Sequence, residues 1–139
     1  MTELADTSAW TNRSKDSVVR AGFDELVASG EIAICDLVRM ELLWTARDGN
    51  EFQALRDELD ALGSVPIDEN VWSRALEVFA ILAARGPLHH RQLKIPDLLV
   101  AAAAETAGMA VCHYDRDFDV IAAATGQPVR AIAPLGSLR

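Results

Sequence analysis

Residues 3–36 read ELADTSAWTNRSKDSVVRAGFDELVASGEIAICD, and the order of patterns in this stretch decides the fold. Glu3-Leu4-Ala5-Asp6 is a short strand pattern. Lys15 to Ser29 follows with Val18, Val19, Phe23, Leu26 and Val27 at helical spacing. Gly30 supplies the C-terminal stop. Glu31-Ile32-Ala33-Ile34-Cys35 is a second strand, and Asp36 stands where it can cap a helix running to about Arg47. Strand, helix, strand in this order means parallel strands joined by a crossover helix.

The alternation continues outward. Asn50 to Leu62 reads as a helix ended by Gly63, and Ser64 to Ile67 as a strand that Pro66 confines to a sheet edge. Asp68 to Arg85 is the longest helix, with an apolar stripe of Val71, Trp72, Ala75, Val78, Phe79 and Leu82. Gly86-Pro87 ends it, residues 88–95 form a polar, basic loop, and Pro96 opens a helix to Ala107. Met109 to His113 is a strand, Arg116 to Ala124 a short helix, and Pro128 to Ile132 a last strand. The predicted fold is α/β, a three-layer α/β/α sandwich with a parallel sheet of four to five strands in a single domain over residues 1–139.

Composition narrows the class. Half of the 139 residues are apolar, which excludes a wholly disordered chain. No apolar run approaches the ~20 residues of a membrane span, and the MTELAD start has neither a basic region nor an apolar core, so a cytoplasmic protein is expected. Cys35 and Cys112 lie in apolar, strand-like runs and read as buried thiols in a reducing compartment. The net charge of −8 argues against coating nucleic acid by electrostatics alone, unless the negative charge has a local task.

In doubly wound sheets, ligands sit beyond the carboxyl ends of the strands. Acids collect there: Asp6 closes the first strand, Asp115 follows the fourth with Asp117 two residues on, and Asp97 opens the helix leading into the fourth. The first and fourth strands are expected to be central and adjacent, which brings Asp6 and Asp115 together. Each of Asp6, Asp97 and Asp115 also suits a helix cap. Glu41 has Leu37, Val38, Trp44 and Thr45 three or four residues away, so it looks inward from a helix, where it needs a partner. Two carboxylates ~5 Å apart repel by about 3 kcal/mol at an effective dielectric near 20, so such a cluster shares protons or holds a cation. An all-oxygen set suits Mg2+ or Mn2+; zinc is disfavoured because Cys112-His113 is adjacent and Cys35 has no Cys or His nearby. Phosphoryl transfer is a chemistry such an ion serves.

Four blocks, L-A-D-T-S-A-W at 4–10, R-M-E at 39–41, I-P-D-L-L-V-A-A-A-A at 95–104 and H-Y-D-R-D-F-D at 113–119, resemble in order and spacing the PIN-domain ribonucleases, in particular the VapC toxins of bacterial type II toxin–antitoxin pairs. The likeness spans essentially the whole chain. It implies an endoribonuclease dependent on Mg2+ or Mn2+ and inhibited by a cognate VapB-type antitoxin, with the toxin pairing as a homodimer inside a larger toxin–antitoxin complex. By position, Asp6, Glu41, Asp97 and Asp115 match the family's acidic quartet and Asp117 an additional acid. The metal set is then Asp6, Asp97, Asp115 and Asp117, with Asp115 and Asp117 both open as the closer contact. Ser8, beside Thr7, matches the hydroxyl that orders the first carboxylate or a metal water. Glu41 is placed to orient the attacking water or act as general base, and hydrolysis leaves a 5′-phosphate and a 3′-hydroxyl.

The basic segment Arg85–Lys94 runs into Asp97, so His90, Arg91 and Lys94, with Arg116, are candidates for holding RNA phosphates. Arg13, Lys15 and Arg39 lie near the motif blocks. Leu42, Leu43, Trp44 and the 50–62 helix offer apolar surface to a partner. A receiver domain needs adjacent acids at the first strand and Lys-Pro after the last, and a haloacid-dehalogenase-type phosphatase needs Asp-x-Asp where this chain has Asp6-Thr7-Ser8. The remaining alternative is a non-catalytic PIN fold that binds RNA or antitoxin, against which the retention of every acid argues.

Overall fold

Short apolar runs bounded by Gly or Asp become the strands of the computed structural model, which describes residues 2–139. They are β1 (Glu3–Ala5), β2 (Ile32–Cys35), β3 (Gly63–Val65), β4 (Ala110–His113) and β5 (Val129–Ala131). All pair in parallel, in the order β3-β2-β1-β4-β5. Leu4 sits opposite Ala33 on one side and Val111 on the other, so β1 is central and β4 is its neighbour, as the sequence predicts. β3 is an edge strand, like β5 on the other side, with Pro66 just beyond it.

The helices are α1 (Thr7–Asn12), α2 (Ser17–Ala28), α3 (Asp36–Leu43), α4 (Gly49–Asp60), α5 (Glu69–Arg85), α6 (Ile95–Thr106) and α7 (Arg116–Thr125). Alternation along the strands divides the interior between two faces. Leu4 and Val111 join the larger core, with Val71, Val78 and Leu82 of α5, residues 98–104 of α6 and Phe118 of α7. Ala5 and Cys112 point the other way, into a smaller core with Ala9 and Phe23. This is the expected three-layer sandwich. α6 is buried continuously from Asp97 to Ala104, and its run of alanines keeps an apolar helix thin.

Four local readings need correction. The helix expected over Lys15–Ser29 begins later, at Ser17, because the Asp16 side chain accepts from the Val18 and Val19 N–H groups. Before it stand α1, which the sequence did not announce, and a 3-10 turn over Arg13–Lys15. Asp36 does not cap α3: Cys35 holds the cap position without a side-chain bond, while Asp36 is the first helical residue and pairs with Arg39. That helix stops at Leu43, so Trp44, expected beside Glu41 on an inward face, is exposed. On α5, Val71, Ala75, Val78 and Leu82 are buried, whereas Trp72 lies half in solvent. Among the described residues no helix is long and apolar enough to cross a membrane.

Candidate active site

The chain runs from β1 toward β3 on one side of the sheet and from β4 to β5 on the other, so the strand order reverses between β1 and β4. At their carboxyl ends the Asp6 N–H donates to the Cys112 carbonyl at 2.9 Å. Asp6 is the cap of α1: its Oδ2 accepts from the Ser8 N–H (3.0 Å) and the Ser8 hydroxyl (2.6 Å). Ser8 Oγ in turn accepts the Tyr114 N–H at 2.9 Å, which ties the turn after β1 to the turn after β4. Asp6 is only 4% exposed, and burial followed by the nearby Asp115 charge pushes its carboxyl up, against the pull of the Ser8 bonds.

Asp115 caps α7, its Oδ1 accepting from the Asp117 N–H at 2.9 Å. One carboxylate oxygen each from Asp97, Asp115 and Asp117 lies within 4.8 Å of the others, so these three form a potential cation seat. Asp6 is not within that set, although its charge helps push the Asp97 carboxyl up. The ammonium of Lys94 lies in the same place. Its Nζ is 2.7 Å from Asp115 Oδ2, 3.1 Å from Asp117 Oδ2 and 3.3 Å from Asp97 Oδ2. The Lys94 N–H donates to Asp117 Oδ2 at 3.2 Å as well.

Asp97 is 5% exposed, and its Oδ2 is a buried oxygen without a hydrogen-bond partner. Burial, then the adjacent Asp117 and Asp6 carboxylates, push Asp97 up to about 8 despite Lys94. Asp117 moves the opposite way. Burial pulls it up, but its bonds with Asp97 and with the Lys94 backbone and ammonium hold it below the usual carboxylate range. For Lys94, burial lowers the ammonium, and the bonds to Asp115 and Asp117 outweigh this and raise it. The unpartnered buried oxygen and the exclusively carboxylate donor set fit a hard divalent cation such as Mg2+ or Mn2+.

Glu41 meets a hydroxyl rather than an arginine. Thr7 Oγ1 donates to Glu41 Oε1 at 2.8 Å, joining α3 to the first residue of α1 beside Asp6. His113, the last residue of β4, is fully buried and accepts the Asp115 N–H on Nδ1 at 3.1 Å. Burial lowers its pKa, with Asp119 pulling in the opposite sense, and since Nδ1 accepts an N–H the ring proton is on Nε2. The sequence did not mark this support for the Asp115 turn, because a histidine ending an apolar strand has no distinguishing neighbour. The place of Lys94 was also missed, though its spacing of three from Asp97 at a helix start was a usable signal.

The other basic candidates divide. Arg91 and Arg116 are exposed, whereas the half-buried His90 ring stands edge-on to Phe79 with centroids 5.2 Å apart. Arg39 is committed to Asp36 and Asp60, and Arg13 to the Trp10 carbonyl and Asp24. Cys35 and Cys112 are buried free thiols; desolvation raises both, Cys112 to about 12. Away from the acids, a groove lined by Met40, Trp44, Phe52, Arg39 and Arg56 lies between α3 and α4. An apolar hollow lined by Trp72, Leu76, Phe79, Ile95 and Leu98 lies between α5 and α6.

Residues 4–124 match the family model described as PIN domain. Ribonuclease VapC18 of Mycobacterium tuberculosis is 44% identical over 138 residues, covering 99% of this chain and 100% of the relative. Ribonuclease VapC51 of the same organism is 41% identical over 135 residues, covering 97% and 96%. Among solved structures, VapBC-1 from nontypeable Haemophilus influenzae superposes with a TM-score of 0.72 at 14% identity, covering 95% of this chain and 98% of the other. FitAcB from Neisseria gonorrhoeae gives 0.71 at 19% identity, covering 96% and 100%.

Proposed function

The chain belongs to the PIN-domain family, and from that premise we propose that it is a VapC-type toxin, an endoribonuclease that hydrolyses RNA phosphodiester bonds with Mg2+ or Mn2+ and is restrained by a cognate VapB-type antitoxin. The observation that carries this reading is the convergence of Asp97, Asp115 and Asp117 on one point, with a buried Asp97 oxygen left unpartnered. Near-full-length similarity to proteins named ribonuclease VapC supports it.

Asp97, Asp115 and Asp117 would hold the ion. When bound, it supplies a water of lowered pKa and a Lewis acid for the phosphate. Asp6, held in one rotamer by Ser8, forms the adjoining wall and adds negative charge that favours the cation. Glu41, oriented by Thr7, accepts a proton from the attacking water. Arg91 and Arg116, both exposed, are the residues we assign to RNA phosphates. The leaving oxygen is the 3′-hydroxyl and the attacked phosphorus becomes a 5′-phosphate. The reading implies a cytoplasmic protein, since a toxin restrained by its own antitoxin acts on RNA of the same cell.

Two apolar surfaces suit the partners. The α3–α4 groove, with Trp44 and Met40 exposed beside Arg39 and Arg56, is the seat we assign to antitoxin. The α5–α6 hollow is the face we assign to the homodimer.

Purified protein incubated with RNA should cut it in Mg2+ or Mn2+ and stop in excess chelator, with 5′-phosphate ends at the new termini. Cleavage that persists undiminished in chelator overturns the metal mechanism. RNA binding without cleavage in either ion returns the chain to the non-catalytic reading.

A further inference from the structure

We propose that Lys94 is a built-in counter-ion of the acidic pocket, occupying the cation seat until a divalent ion displaces it. The inference rests on the reading that Asp97, Asp115 and Asp117 bind that ion. It adds a residue of this chain that competes for the same oxygens.

The geometry is specific. Nζ approaches one oxygen of each of the three carboxylates, at 2.7, 3.1 and 3.3 Å, and these are the residues whose oxygens converge within 4.8 Å. The buried Asp97 Oδ2, which no hydrogen bond satisfies, faces this ammonium. A dication on those oxygens and an ammonium beside them repel, so occupation of the seat by one disfavours the other. The ammonium is also poor compensation for a buried carboxylate that keeps an oxygen unbonded, which leaves the seat better suited to the ion.

The side chain can leave without disturbing the site. It is 62% exposed, so its stem runs through solvent. Its backbone is anchored separately: the Lys94 N–H bonds Asp117, and the Lys94 carbonyl accepts the Asp97 N–H at 3.1 Å. Lys94 is also the cap position of α6, followed directly by Ile95-Pro96. Swinging Nζ outward therefore costs its ion pairs and nothing in the fold.

Two consequences follow. The metal-free protein tolerates three clustered acids in part because one positive charge sits among them. Metal affinity is lowered by the fraction of molecules in which the ammonium holds the seat. The released ammonium then lies at the pocket mouth.

The test is Mn2+ binding by calorimetry to the wild type, Lys94→Met, Lys94→Gln and Asp97→Asn, with thermal unfolding confirming that each folds. If the seat is closed in about nine molecules of ten, both Lys94 variants bind Mn2+ about tenfold more tightly than the wild type. Asp97→Asn binds more weakly. In parallel, Mg2+ titrated into the wild type with 15N-labelled lysine moves the Lys94 ammonium resonance to that of a free lysine. Asp97-dependent Mn2+ binding that is equal or weaker in both Lys94 variants overturns the competition alone. So does an ammonium resonance unmoved at saturating Mg2+. Absence of Asp97-dependent binding in every protein overturns the metal reading and this inference with it.

Discussion

Asp6 and Asp97 are equally hidden carboxylates a few residues from helix starts, yet their surroundings differ in kind. Asp6 has its own supply of donors: the Ser8 N–H and hydroxyl both reach Oδ2, and the same hydroxyl is fastened to Tyr114. Asp97 lies at the mouth of α6, surrounded by Asp117, Asp115 and Asp6, with Oδ2 unbonded and the Lys94 ammonium 3.3 Å from it. The chain that satisfies one buried acid within two residues leaves the other to an external or mobile cation. A satisfied carboxylate holds the scaffold, and an unsatisfied one is where chemistry is placed.

The largest effect is expected where satisfaction is poorest. Asp97→Asn keeps the shape of the side chain, removes the carboxyl that burial and its acidic neighbours push up to about 8 and offers an amide donor to those neighbours. RNA cleavage should fall by about a thousandfold, as when a group stabilising transition-state charge is lost. The midpoint of thermal unfolding should hold or rise. Rate assays and calorimetry on the same preparation check both. A fall in midpoint with activity retained would break the comparison, since Asp97 would then be the structural acid of the pair.

The opposite signature belongs to Ser8→Ala. It removes the hydroxyl from Asp6 and strips the Tyr114 N–H of its acceptor, a loss of about 1–2 kcal/mol in stability. Cleavage should fall by about tenfold, because Asp6 is loosened rather than removed. Urea unfolding with single-turnover RNA cleavage separates the two. Loss of activity without loss of stability would place Ser8 in the chemistry itself.

The two acids also differ in how far the sequence exposes them. Asp-Thr-Ser after a strand pattern announces Asp6 and its donor together, and parallel alternation places Asp115 alongside. The adjacency of β1 and β4 was legible for that reason. Lys94 was read as part of a basic loop facing RNA, because charge patterning along a chain does not say which way a lysine at a helix start turns. α1 was invisible for a related reason: Thr7–Asn12 has no apolar stripe, only Ala9 is buried, and the helix exists because Asp6 caps it and Trp10 meets Phe23 edge-on at 4.9 Å. Trp44 misled in the other direction, since helical spacing around Glu41 holds only while the helix lasts, and α3 ends at Leu43.

The smallest effect is a slope against pH, and it isolates Asp97 from its better-satisfied counterpart. The Asp97 carboxyl moves from an ordinary 3.8 to about 8 on folding, so between these values the native chain holds a proton that the unfolded chain has released. Stability then falls as pH rises through this window, with the contribution fully present below the unfolded value and gone above about 8. Asp6 has the same sign, since burial raises it too against the pull of the Ser8 bonds. Asp117 has the reverse sign and acts only where carboxylates protonate, because its stability is lost as pH falls below its ordinary 3.8. His113 also has the reverse sign: it is neutral when folded, so acid below its ordinary 6.5 favours the unfolded chain. Between pH 6.5 and 8 Asp117 is silent and the opposing His113 contribution fades, so the metal-free wild type should unfold at a higher temperature at the lower pH. Asp97→Asn should flatten that slope, whereas Ser8→Ala should shift the whole line downward and keep it. Calorimetric scans in chelator across the window decide the matter; parallel slopes in wild type and Asp97→Asn would show that Asp97 is as well satisfied as Asp6.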